Sequence, residues 1–90
     1  MSQRIVTIAS SVGLHARPAA LFVQAATATG LPVQIGRAGE ESVDARSILG
    51  VMALGAKCGE EVLLRADGDG ADAALEELVA LLSRDLDAEE

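Results

Sequence analysis

The 90-residue chain is half apolar, yet its only aromatic side chain is Phe22, so 17 Ala, 12 Leu, 8 Val and 4 Ile must supply the core. That content excludes disorder, which needs low hydrophobicity, and the longest apolar runs, five residues each at 19–23 and 78–82, are too short for a membrane span. A net charge of −7 without a basic, aromatic surface makes the chain a poor nucleic-acid binder.

The length suits one domain over residues 1–90. The single cysteine, Cys58, has no partner for an internal disulfide, and the opening residues lack the basic stretch and long apolar run of a secretory signal. A reducing, cytosolic home is the economical expectation. Charge is unevenly spread. Residues 1–39 hold three arginines and no acid, whereas residues 40–90 hold all 14 acids against four cations. An acid-free segment in an acidic chain could be the face that meets anionic partners, or simply sparsely charged secondary structure.

In chain order, the β-branched run within residues 4–9 predicts a strand, broken over residues 10–13. Ala19, Ala20, Val23 and Ala26 recur at helical spacing and predict a helix over residues 16–28, stopped by Thr29 and Gly30. Val33 and Ile35 alternate with Gln34 as a second strand; residues 36–41 turn into a third around residues 42–44. Ser47 stands as N-cap before a short apolar helix that Gly55 closes. Val62, Leu64 and Ala66 alternate as a fourth strand. After a turn at residues 67–70, Leu75, Leu78, Val79 and Leu82 mark the buried stripe of a last helix, followed by an acidic tail, 85–90, expected to fray. Strands interleaved with helices on such a core predict a sheet with helices packed on one face.

The chemistry concentrates around one residue. A single histidine is by default a surface or capping residue, but His15 follows Gly13, which frees the backbone, and stands at the mouth of the first helix. Pro18 falls in the first turn, where its missing N–H costs nothing. The free amides of that turn suit an anion, and Arg17 adds a planar charged fork for phosphate oxygens. A helix N-terminus also disfavours imidazolium, which leaves a neutral, nucleophilic ring near pH 7.

The segment Gly13-Leu14-His15-Ala16-Arg17-Pro18-Ala19 resembles the active-site signature of HPr, the histidine-containing phosphocarrier family of the bacterial phosphoenolpyruvate-dependent sugar phosphotransferase system. A second block, Arg46-Ser47-Ile48-Leu49-Gly50-Val51-Met52, is similar to the family's regulatory-serine segment. The likeness covers residues 3–84. It implies an α/β open-faced sandwich, a four-stranded antiparallel sheet with three helices on one face. It further implies that His15 accepts a phosphoryl group on Nδ1 from phosphorylated enzyme I and passes it to the IIA domain of a sugar permease. Arg17 and the amides at Ala16 and Arg17 would hold the transferring oxygens. Ser47 would be the site of a dedicated HPr kinase/phosphorylase, and Ile48, Leu49 and Met52 the partner-docking patch, ringed by Arg17 and Arg46. The carrier would be a relay component rather than an enzyme, without cofactor or metal, and we expect a monomer. Two rivals remain: a related carrier in a nitrogen-regulatory or dihydroxyacetone-kinase relay, and a regulatory module acting through phosphorylated Ser47.

The chain departs from the family pattern in places. Val12 stands where relatives often have a small polar residue, Arg46 where Lys is common, and the hairpin over residues 36–41 is one residue longer. Other signals fail. The acidic stretch from Asp67 to Asp72 is no calcium loop, since Asp72 stands where Gly is required and Leu78 where Glu is; it reads as a turn and helix cap. Cys58 reads as a semi-buried structural thiol. Ser10 and Ser11 lie near His15 but have no orienting acid within residues 1–39 for a hydrolytic triad.

Overall fold

A computed structural model describes residues 2–9, 13, 14, 16–37 and 39–84. Its elements run β1 (Ser2–Thr7), α1 (Ala16–Ala28), β2 (Val33–Arg37), β3 (Val43–Asp44), α2 (Ile48–Leu54), β4 (Glu61–Ala66) and α3 (Ala71–Leu82). The strands form one antiparallel sheet in the order β1-β4-β2-β3. The architecture is the expected open-faced α/β sandwich.

Alternation fixes which face is covered. Along β4, Val62, Leu64 and Ala66 are buried while Glu61 is exposed. Cross-strand partners share a face. Val6 opposite Val62, and Ile35 opposite Leu64, therefore join the core. On the other face Gln3, Ile5, Thr7 and Gln34 are exposed. The helices cover the apolar face: α1 buries Ala19, Phe22 and Ala26, and α3 buries Leu75, Leu78 and Leu82. On α1 the small Ala19 and Ala26 flank Phe22, the largest fully buried side chain. Among the described residues, no helix is long and apolar enough to cross a membrane.

Helix α1 has the predicted bounds. Its end is closed by Thr29, whose hydroxyl donates to the Ala26 carbonyl at 2.7 Å, and by Gly30 in the left-handed region. Strand β1 begins and ends two residues earlier than its β-branched run suggested. Ser2 and Gln3, weak strand formers, are recruited by pairing with Ala66 and Arg65. Ile8 leaves the regular ladder at the turn around Gly59, although its amide still bonds the Glu60 carbonyl. The third strand is two residues long. Gly70, rather than an aspartate, occupies the N-cap of α3, and no side chain caps it. Asp67 instead accepts from the Gly68 amide. Cys58 is exposed, not semi-buried, because it sits on the tip of a surface turn. The tail at residues 85–90 lies outside the described residues.

Candidate functional site

The start of α1 is built on glycine. Gly13 has φ +74°, and a Cβ there would stand 2.5 Å from the Ala56 carbonyl oxygen and 2.9 Å from the Lys57 Cα. Only glycine fits both the torsion and the space. The next amide, Leu14, donates to that same carbonyl at 2.8 Å, and the Leu14 side chain is buried. Two residues later α1 begins. Pro18 is buried in its first turn, and no acid stands in that turn to occupy the free amides. Arg17 is exposed and pairs with no described residue, so its guanidinium is available to an anion. His15, Val12, Ser10 and Ser11 lie outside the described residues. What is described is their frame: a pinned Gly13-Leu14 on one side and a helix N-terminus on the other.

Helix α2 packs beside α1. Ser47 caps it as expected: its backbone is extended, and its Oγ accepts from the Gly50 amide at 3.1 Å. Gly55 ends it at φ 65°. Of the apolar residues on this helix, only Val51 is buried. Leu49 is 79 % exposed and Ile48 38 %. Met52 is half-buried against the core, so it is less exposed than Ile48 and Leu49. Arg46 is exposed but already committed. Its guanidinium lies 3.1 Å from Asp44 Oδ1, and its backbone amide donates to the same oxygen. Those bonds hold the Asp44 carboxyl below its ordinary value, the side-chain hydrogen bond from Arg46 contributing most. Of the two arginines expected around the patch, Arg17 alone is unpaired among the described residues.

One group of residues escaped the sequence reading. Arg37, at the end of β2, reaches the carbonyls of Leu54 at 2.6 Å and Gly55 at 3.1 Å and also pairs with Glu60 at 3.0 Å. Glu60 in turn accepts from the Lys57 amide at 2.7 Å. The hydrogen bond from Arg37, and then that from Lys57, lower the Glu60 carboxyl below its usual range. No sequence signal points to this pair, because its members are 23 residues apart and each looks like an ordinary surface charge.

Fold and site thus define a small α/β sandwich with an arginine at the start of α1 and, packed beside α1, a short helix with exposed apolar residues. The comparisons specify the class. The family model described as "PTS HPr component phosphorylation site" matches residues 2–84. A phosphocarrier protein HPr from Streptomyces coelicolor is 51% identical over 87 residues, covering 97% of this chain and 94% of the relative. Another from Haloferax volcanii is 48% identical, covering 90% and 92%. The crystal structure of HPr-C-His from Thermoanaerobacter tengcongensis superposes with a TM-score of 0.90 at 38% identity, covering 100% of both chains. The chain belongs to the HPr family of phosphotransferase-system phosphocarriers.

Proposed function

We propose that the protein is a phosphoryl carrier in which His15 accepts the group on Nδ1 from phosphorylated enzyme I and yields it to a IIA domain. The family membership, with the phosphorylation-site model spanning residues 2–84, carries this reading. On acceptance the donor's bond to phosphorus breaks as the bond to His15 Nδ1 forms, and on delivery the His15 bond breaks as a bond to the IIA acceptor forms. The chain's contribution is positioning and charge. The amides of Ala16 and Arg17 and the free guanidinium of Arg17 meet the phosphoryl oxygens, and Ile48 and Leu49 over Met52 give the partner an apolar seat. Such a transfer uses no resident cofactor. The protein acts as a relay component, a single domain working in the cytoplasm as a monomer.

A second role is supported by the exposure of Ser47. Phosphorylation there by an HPr kinase would place about −1.5 to −2 of charge beside Ile48 and Leu49 and weaken docking.

Incubation with phosphoenolpyruvate and enzyme I, followed by intact-mass analysis, tests the carrier role. One acid-labile phosphoryl group, absent in His15→Ala, is expected. Failure of a cognate enzyme I to transfer would contradict it and shift the reading to Ser47 or to another relay.

A further inference from the structure

The segment 54–60 is fastened on one side and supports the candidate site on the other. From below, Arg37 binds the Leu54 and Gly55 carbonyls and the Glu60 carboxylate, and that carboxylate holds the Lys57 amide. From above, the Ala56 carbonyl receives the Leu14 amide at 2.8 Å, and the Glu60 carbonyl receives the Ile8 amide at 2.9 Å. The Gly59 amide returns a bond to the Ile8 carbonyl at 2.8 Å. Both ends of the stretch leading to His15, at Ile8 and at Leu14, therefore hang on one segment. Gly13 lies so close to it that no Cβ fits between them.

We propose that the Arg37–Glu60 pair is a positioning device for the His15 loop: it holds segment 54–60 rigid so that Leu14, bonded to Ala56, presents His15 at the start of α1. The proposal rests on the carrier reading above. The guanidinium fork satisfies two carbonyls and both carboxylate oxygens at once, which an ammonium group has no geometry to do. The same fork closes the carboxyl end of α2, where a positive charge is favoured. It thereby ties the docking helix to the loop that carries the acceptor.

The test compares Arg37→Ala, Arg37→Lys and Glu60→Gln with Arg4→Ala. Arg4 holds a comparable pair of carboxylates, Asp72 and Glu76, where β1 meets α3. Two quantities are read well below the melting temperature: the rate of phosphoryl acceptance from enzyme I, and the midpoint of the His15 ring titration by NMR. Small misplacements of a reacting group are costly, so Arg37→Ala is expected to slow acceptance roughly three- to tenfold and to move the His15 midpoint. Glu60→Gln should do the same to a smaller degree, and it keeps the proposal testable if Arg37→Ala fails to fold. Arg4→Ala should leave both quantities at wild-type values. Wild-type rate and midpoint in Arg37→Ala and Glu60→Gln would overturn the proposal. Full rescue by Arg37→Lys would also overturn it, by assigning the effect to charge alone. Absence of transfer to the wild-type chain would contradict the carrier reading alone, since the titration midpoints would still decide whether the pair positions His15.

Discussion

Helices α2 and α3 are both rich in aliphatic residues, yet they use them in opposite ways. α3 turns Leu75, Leu78 and Leu82 into the core and shows Asp72, Glu76 and Glu77 to solvent. α2 buries only Val51, half-buries Met52, and leaves Leu49 and Ile48 outside. The buried leucines of α3 remove apolar surface from water and so hold the fold. The exposed Leu49 and Ile48 of α2 contribute little to stability, and in the proposed carrier they are the apolar surface left for a transient partner. In the proposed carrier, leucine thus serves stability in one helix and recognition in the other.

The comparison breaks most visibly at paired leucines. Leu75→Ala should cost about 2–5 kcal/mol in chemical denaturation, because it opens a cavity under a fully buried position. A loss under 1 kcal/mol would mean that the buried stripe of α3 does not hold the fold. Gly13→Ala should come next, at about 1–3 kcal/mol, since it forces a strained torsion and a clash with Ala56. It should also slow phosphoryl acceptance, and a variant of full stability and rate would show that the loop does not depend on that close approach. Ser47→Ala removes the N-cap of α2 and should cost about 1 kcal/mol, read as a lower denaturation midpoint. Leu49→Ala should change stability by no more than about 0.5 kcal/mol yet weaken enzyme I binding at least about fivefold, as loss of a central apolar contact does. Calorimetric titration would check this, and unchanged affinity would remove Leu49 from the docking surface.

Acid sharpens a different contrast. Asp44, Glu60 and Asp72 all have folded-state carboxyl values below their ordinary ones, each because a hydrogen bond favours the charged form. Their contribution is complete above the unfolded-state value near pH 4, and it fades as pH falls through the lower folded-state values. Denaturation midpoints should thus be flat in this respect above about pH 5 and decline below about pH 4. The decline should be shallower in Glu60→Gln, and equal slopes in both proteins would show that the Arg37 pair adds no acid sensitivity.

Much of this was legible in the residues. Helix α1 could be bounded because Gly30 is a punctuating residue and the alanine spacing has a helical period. Helix α2 could be bounded because Ser47 and Gly55 are cap chemistry, local by nature. The motif around His15 was legible for the same reason: its residues are contiguous. Less visible was anything decided by distant partners. Ser2 and Gln3 become strand only because β4 pairs with them, and Met52 sinks partway while Ile48 and Leu49 do not because the core lies under it. The Arg37–Glu60 pair has no local signature at all. Cys58 misled because a lone cysteine is usually buried, whereas the turn around Gly59 carries this one outward.

The most direct test of the account is the phosphorus NMR spectrum of the protein after charging with phosphoenolpyruvate and enzyme I. One phosphoramidate resonance is expected, correlated with the His15 ring through Nδ1 and lost on mild acidification. A phosphoserine resonance, or none, would contradict it.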